Sequence, residues 1–260
     1  MKKSKSERRR KRIESMRKGI YILPNLFTSF GLLFGFYSTI HTLNGKFLKA
    51  AWAIIFAAVF DAIDGKIARL TKSNTDFGVE YDSLADLIAF GVAPGLLIYS
   101  WALKPFGRWG WLAAFLYVIC TALRLARFNV QINTVENRYF QGLPSPAAAG
   151  MIASTIILFF HLKIGEDTKH LPILLITYTL AFLMVSNLRY NSFKNLELAK
   201  RKPFSTLIVL IFLLIIVGAE PQIMMFSLFA LYFISGPVNF LLRYRQRRIQ
   251  KVLKERGIQI

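Results

Sequence analysis

The sequence predicts an all-α integral membrane protein: a polytopic bundle of about eight transmembrane helices, preceded by a short basic juxtamembrane helix. Its 260 residues are 54% hydrophobic and only 18% charged, with a mean hydropathy of +0.42. The 34 Lys and Arg residues outnumber the 14 Asp and Glu residues, and they fall mostly outside long apolar runs. This composition excludes a disordered chain, and a single Cys excludes a disulfide framework or a cysteine zinc cluster.

Eight apolar runs define the predicted spans. The first run, residues 20–43, has 24 residues without a charge, enough to cross a hydrocarbon core of about 30 Å. Within it, Gly31 and Gly35 form a small-residue face for helix packing, either inside the chain or in a dimer. Two of the later runs are short and need their polar ends to complete a span. The later runs are residues 50–60, 87–103, 109–123, 141–162, 171–188, 204–219 and 221–242.

The basic residues indicate the orientation of these spans. Counted along alternate connections, 28 of the 34 fall on one side of the predicted bundle and six on the other. The positive-inside rule therefore places both termini in the cytoplasm. We interpret the ten basic residues among residues 1–18 as contacts with anionic lipid headgroups rather than as a nucleic-acid-binding arm.

Four of the six Asp residues follow helical spacing together with small residues. The i, i+3, i+4, i+7 pattern places one set on a single helix face, and steps of four place a second set on the next helix. The polar residues 70–77 between them predict a turn, so that the two faces meet. The first set is Asp61, Asp64, Gly65 and Ala68, and the second is Gly78, Asp82 and Asp86.

Four facing carboxylates at a membrane boundary would repel one another unless they were paired or functional. We expect two divalent cations, Mg²⁺ or Mn²⁺, because carboxylate oxygens are the ligands that these ions prefer. A substrate pyrophosphate could complete their coordination. One alternative is that the Asp residues are solvated helix ends paired with Lys66, Arg69 or Lys72. Another is a divalent-metal transporter, although its carboxylates would lie near the bilayer midplane rather than at the helix ends.

The pattern Asp-x2-Asp-Gly-x2-Ala-Arg-x8-Gly-x3-Asp-x3-Asp resembles the signature of the CDP-alcohol phosphatidyltransferases, and all eight fixed positions are filled. The resemblance implies that two metal ions bind the pyrophosphate of a CDP-linked lipid, with Asp86 as the general base. The implied metal ligands are Asp61, Asp64, Asp82 and Asp86. The implied nucleotide-binding residues are Asn25, Thr28, Asp61, Gly65, Ala68, Arg69 and Gly78.

Three further segments, residues 122–129, 140–150 and 183–194, resemble the prokaryotic phosphatidylserine synthases within that family. This resemblance implies CDP-diacylglycerol and L-serine as substrates, and a homodimer in the prokaryotic cytoplasmic membrane with its active site on the cytoplasmic side. Glycerol 3-phosphate, an inositol phosphate or choline as acceptor, or an ether-lipid donor as in archaetidylserine synthesis, remains an alternative. The chain then divides into a basic segment 1–19, a catalytic core 20–200 of about six spans, two additional spans 201–242 and a basic tail 243–260.

The acceptor site is predicted from the carboxylate that serine carries, which a cation should meet. Arg124 and Arg127 share a helix face at the predicted cytoplasmic end of the fourth run, although both could instead extend to lipid headgroups. Ser145 followed by Pro146 predicts an N-cap whose helix points its free N–H groups at the cytoplasmic cavity. The candidate acceptor residues are Arg124, Arg127, Asn129, Ser145 and Arg189.

Overall fold

The computed structural model describes residues 25–71, 75–131, 139–164, 171–191 and 220–255. These residues are almost entirely helical, apart from two paired strands of three residues each. The helices are α1 (Asn25–Leu43), α2 (Phe47–Thr71), α3 (Asp76–Phe106), α4 (Arg108–Gln131), α5 (Ser145–His161), α6 (Leu171–Val185) and α7 (Pro221–Glu255). The strands are β1 (Tyr139–Gln141) and β2 (Arg189–Asn191), which pair antiparallel.

Four helices in the described part of the chain are long and apolar enough to cross a membrane: α1, α3, α4 and Pro221–Leu242 of α7. Helices α5 and α6 are apolar but shorter, with 17 and 15 residues. Helix α2 has 25 residues but carries several charged side chains in its second half. The predicted helical membrane protein is therefore confirmed, whereas the number of eight spans stays a prediction. The basic segment 1–19 and the predicted span 204–219 lie outside the described residues.

The core forms where α2 and α5 pack together among α3, α4 and α6. Both helices contribute fully buried alanines to the core, Ala50 and Ala57 on α2 and Ala149 and Ala153 on α5. Alanine side chains let two helix backbones approach closely, which is the usual way that helices pack in membranes. The core therefore holds α2, with its Asp residues, in a fixed position.

Helix α3 is irregular where the sequence contains Pro94. A π-helical segment, Leu87–Val92, precedes a short α-helical turn, and a second π-helical segment follows it. Proline has no N–H group, so the carbonyl of Phe90 loses the partner that it would have in a regular α-helix. The hydroxyl of Tyr117 on α4 donates to this carbonyl at 2.9 Å. The Phe90 carbonyl thus finds its hydrogen-bond donor on the neighbouring helix. The irregular segment begins directly after Asp86.

Helix α1 crosses α3 at very close range. A Cβ atom added to Gly35 would lie 2.7 Å from the Cα atom of Ala89. Gly31 faces α2, where an added Cβ would lie 3.9 Å from the carbonyl oxygen of Ala57. The predicted small-residue face therefore packs inside the chain. This crossing sets the position of α1 beside the Asp residues of α2 and α3.

Candidate active site

The two sets of predicted metal ligands meet between α2 and α3. One carboxylate oxygen from each of Asp61, Asp64 and Asp82 lies within 4.8 Å of the other two. Asp64 is buried, and the other two are half-buried. We call these three residues the carboxylate cluster. A group of three such oxygens could hold a divalent cation, as the sequence predicts.

Asp86 lies beside the carboxylate cluster rather than in it. Its side chain is within hydrogen-bonding reach of Asp61. Arg124 on α4 is close enough to interact electrostatically with both of these carboxylates. Asp86 lies one helical turn after Asp82 on α3. It therefore stands between the carboxylate cluster and Arg124 of α4.

Among the described residues, no basic side chain forms an ion pair within 4.0 Å with this group of carboxylates; Arg124 acts on Asp61 and Asp86 at longer range. The ion pair within 4.0 Å that these residues form joins His161 and Glu220 and involves none of the four Asp residues. Asp64 instead accepts a hydrogen bond from the Thr28 hydroxyl at 3.1 Å. The alternative that the Asp residues are helix ends paired with Lys66 is thus not observed. Partly buried carboxylates without a cation partner are costly, and a divalent ion would offset that cost.

The predicted nucleotide-binding residues on α1 and α3 surround one end of the cluster. A Cβ added to Gly78 would lie 3.4 Å from Oδ1 of Asn25 and 3.1 Å from Oγ1 of Thr75. Thr75 caps α3, because its hydroxyl accepts from the Gly78 N–H at 3.0 Å. Around Gly65 on α2, the described residues place no atom within 4 Å of an added Cβ apart from the adjoining backbone of α2 itself, which leaves open space beside Asp64.

Two predicted nucleotide-binding residues, Ala68 and Arg69, lie in the last turns of α2, and their side chains are outside the described part of the structure. One contact between α1 and α3 was not predicted from the sequence. The hydroxyls of Ser29 and Tyr81 lie 2.9 Å apart and join α1 to α3. No spacing rule connects two residues on non-consecutive helices, so the sequence offered no signal for this pair.

Arg124 and Ser145, both predicted acceptor residues, are in direct contact. The Arg124 guanidinium donates to Oγ of the fully buried Ser145 at 2.8 Å, and its buried Nε has no hydrogen-bond partner among the described residues. The predicted N-cap is wrong: Pro144 occupies the cap position, and Ser145 is already the first residue of α5. The hydroxyl of Ser145 serves the neighbouring arginine instead of the backbone of its own helix.

The remaining acceptor candidates have other partners. Asn129 exchanges two hydrogen bonds with Ser83 on α3, at 3.0 and 3.1 Å. Arg127 donates to Oδ1 of Asn187 at 3.3 Å. Arg189 belongs to β2, but its side chain is outside the described part of the structure. The structure therefore brings Arg124 and Ser145 together, and it gives Asn129 a contact to α3 and Arg127 a contact to the segment after α6.

The carboxylate cluster lies within the part of the chain that is similar to known proteins. Residues 21–186 match the sequence profile described as CDP-alcohol phosphatidyltransferase. The chain belongs to this family. It is therefore an enzyme of the phosphatidyltransferase type, and this membership together with the apolar helices makes it a membrane-embedded protein. The divalent-metal transporter considered from the sequence is accordingly excluded.

Individual relatives in the family are similar over most of the chain. A CDP-diacylglycerol–serine O-phosphatidyltransferase from Helicobacter pylori is 38% identical over 222 residues, which are 85% of this chain and 92% of the relative. An enzyme of the same name from Bacillus subtilis is 40% identical over 60% of this chain and 82% of its own. An archaetidylserine synthase from Methanothermobacter thermautotrophicus is 35% identical over 65% of this chain and 69% of its own.

Proposed function

We propose that the protein transfers the phosphatidyl group of CDP-diacylglycerol to the hydroxyl of L-serine, giving phosphatidylserine and CMP. The observation that carries this proposal is a carboxylate cluster one helix turn away from a carboxylate, Asp86, that neighbours the buried Arg124. The cluster suits a pyrophosphate bound through cations, and the arginine suits the carboxylate of an amino acid. The names of the bacterial relatives support the same pair of substrates.

Two divalent cations, Mg²⁺ or Mn²⁺, complete the proposed site. Asp61, Asp64 and Asp82 would hold them, with Asp86 contributing to the second. When bound, such ions neutralise phosphate oxygens and stabilise CMP as the leaving group. The absence of any ion pair to these carboxylates within the described residues is the structural reason for this assignment.

Asp86 is the proposed general base. It would accept the proton of the serine hydroxyl while the serine oxygen forms a bond to the lipid-side phosphorus and the bond to CMP breaks. A carboxylate that is fully committed to a metal is a weak base. Asp86 lies outside the three-residue cluster and beside Asp61, which suits a residue with access to both the metal site and the acceptor.

The chain's other polar residues would position the two substrates. Arg124, held by Ser145, would bind the serine carboxylate through the donors that it still has available. On the donor side, Asn25 and Gly78 would face the nucleotide, and the open space beside Gly65 leaves room for the ribose or the base. Thr28 orients Asp64 through its hydrogen bond.

The membrane arrangement is part of the proposal. We infer eight spans, with the basic segment 1–19, the catalytic core 20–200, the two additional spans 201–242 and the basic tail 243–260. Both termini and the active site would face the cytoplasm of a prokaryotic cell, where anionic lipids meet the basic segments. A homodimer is proposed from the family resemblance alone.

The test is acceptor discrimination with purified protein in detergent micelles. CMP release from CDP-diacylglycerol is followed with L-serine, glycerol 3-phosphate, inositol phosphate, choline or no acceptor, each with and without Mg²⁺ or Mn²⁺. We expect release that requires both serine and metal. Release with another acceptor alone would overturn the serine assignment while retaining the phosphatidyl transfer. Metal-independent release would overturn the role of the carboxylate cluster.

An ether-lipid donor is a second candidate, because one relative, at 35% identity, is an archaetidylserine synthase. The acceptor would be the same, and the two donors differ only in how their hydrocarbon chains are linked to glycerol. Serine-dependent CMP release is therefore compared with the diester and the diether form of the CDP-linked lipid. Faster release from the diether form at equal concentration would favour this second candidate.

A further inference from the structure

Helix α7 lies beyond the residues that match the family profile, yet it packs tightly against the site. Its inward face presents Phe229, Tyr232 and Gly236, at the i, i+3 and i+7 positions of one helical stripe. A Cβ added to Gly150 on α5 would overlap the ring of Phe229, and one added to Gly236 would overlap the ring of Tyr190. Contacts this close fix α7 against α5 and β2.

Tyr232 stands on this inward face between the two glycine contacts. Its ring centre lies 5.5 Å from that of Tyr190, which is itself fully buried on β2. The Tyr190 hydroxyl also donates to the backbone carbonyl of Phe233 at 3.4 Å, so Tyr190 is bonded to the residue that follows Tyr232. On its other side, Tyr232 is close enough to the Arg124 guanidinium for the two to interact electrostatically. We call Arg124, Ser145, Tyr190 and Tyr232 the arginine region.

The arginine region has the chemistry of a carboxylate site. Arg124 gives one hydrogen bond to Ser145, keeps a buried Nε without a partner, and has no carboxylate within 4.0 Å among the described residues. A guanidinium binds a carboxylate best when further donors reach the same oxygens. The phenol of Tyr232, which packs on Tyr190 and interacts electrostatically with the guanidinium, would supply such a donor without a charge of its own.

We propose that Tyr232 is a specificity-determining residue, which with Arg124 binds the carboxylate of the amino-acid acceptor. Helix α7 thereby selects a carboxylate-bearing acceptor over an amino alcohol of similar size. This inference rests on the proposed serine-dependent transfer and adds to it a residue outside the matched core. The inference also accounts for the glycines at positions 150 and 236, because α7 must approach α5 and β2 closely for the Tyr232 phenol to reach Arg124.

The test measures the KM for serine in the Tyr232→Phe variant of the full-length protein. Losing one hydrogen bond to a charged group corresponds to an increase of roughly tenfold in this KM. The KM for CDP-diacylglycerol and the kcat at saturating serine stay unchanged. Relative to ethanolamine, which lacks the carboxylate, the preference for serine falls by a similar factor. Tyr178→Phe is the matched control, because the Tyr178 hydroxyl on α6 donates to the carbonyl of Trp109, away from Arg124.

Each outcome decides between the two levels of the proposal. Wild-type protein without serine-dependent CMP release overturns the proposed function and this inference together. If the wild type is active and the KM for serine is the same in Tyr232→Phe as in Tyr178→Phe, only the inference is overturned. An increase in both KM values with a lower unfolding temperature shows a packing role and also overturns it. If Tyr232→Phe does not fold, Tyr232→Met lacks the hydroxyl too and is measured in the same way.

Discussion

The carboxylate cluster and the arginine region are neighbours that are built in opposite ways. The cluster comes from two consecutive helices, carries charges of a single sign, and has no basic partner within 4.0 Å among the described residues. The arginine region takes one residue each from α4, α5, β2 and α7, and combines a single cation with a serine hydroxyl and two tyrosine rings that contact each other. In the proposed function the first takes its charge balance from bound cations, whereas the second depends on packing.

This difference predicts different responses to substitution. A change in the carboxylate cluster removes a metal ligand but also relieves repulsion between like charges, so the fold should tolerate it while the reaction stops. A change in the arginine region alters contacts between four elements of the fold. We therefore expect acceptor selection and stability to change together there.

The largest expected effect is that of Asp82→Asn. Losing one ligand of the cluster removes several kcal/mol of transition-state stabilisation, so turnover falls by roughly 1,000-fold or more. The thermal unfolding temperature without added metal does not fall, because one of three like charges is gone. CMP release and thermal unfolding measure the two effects. Asp76→Asn, at an exposed Asp in the first turn of α3, is the control and retains activity within about twofold. Comparable activity in both variants would contradict the metal assignment.

The next effect in size is that of Arg124→Lys. Lysine keeps the charge but loses the planar set of donors that binds a carboxylate in two places, so the KM for serine rises by roughly 100-fold. The KM for CDP-diacylglycerol changes little. Arg108→Lys, at the exposed first residue of α4, is the matched control. An equal rise in both KM values would instead indicate that Arg124 serves the donor or the fold.

A smaller effect is expected from Thr28→Val. The variant removes the hydroxyl that donates to Asp64, and partners of this kind typically change metal affinity by about tenfold or more. The metal concentration required for half-maximal CMP release reports this change. Thr39→Val on the same helix is the control, because the Thr39 hydroxyl donates to the carbonyl of Gly35 at 3.2 Å rather than to a carboxylate. An unchanged metal dependence in Thr28→Val would separate that threonine from the metal site.

The smallest expected effect on the reaction, and one that also tests packing, is that of Gly236→Ala. The added methyl group overlaps the ring of Tyr190, so the variant is destabilised by roughly 1–3 kcal/mol. The KM for serine rises by about two- to threefold, because Tyr232 moves away from Arg124 with its helix. Ser227→Ala on the same helix is the control, since the Ser227 hydroxyl donates to the carbonyl of Ile223 within its own helix. A fully stable Gly236→Ala variant would mean that α7 is free to shift.

The sequence predicted the carboxylate cluster because helical spacing is a local property. Residues that are three, four or seven apart share a face whatever the rest of the chain does, and a short polar connection brings the next helix alongside. The same reasoning predicted the helical membrane fold from apolar runs. It could not fix the number of spans, because the apolar helices α5 and α6 are shorter than a full span and residues 204–219 lie outside the described part.

The arginine region could not be predicted in the same way. The contact between Arg124 and Ser145 joins two helices across the connection that contains β1, and the Ser-Pro sequence favoured a cap that tertiary contacts replaced. Tyr232 lies in an apolar run where its residue type does not distinguish a pocket wall from a lipid-facing aromatic. Only the packing of α7 against β2 and α5 identifies its neighbours.

The crossing of α1 and α3 has a consequence for how a lipid substrate enters. Because the Gly35 position has no space even for a methyl group against Ala89, the two helices form a closed seam at this depth. The hydrocarbon tails of the proposed lipid donor therefore cannot pass between α1 and α3 at the depth of Gly35. A larger residue at position 35 would force the two helices apart, and because Thr28 of α1 donates to Asp64, the route of lipid access and the position of the carboxylate cluster would change together.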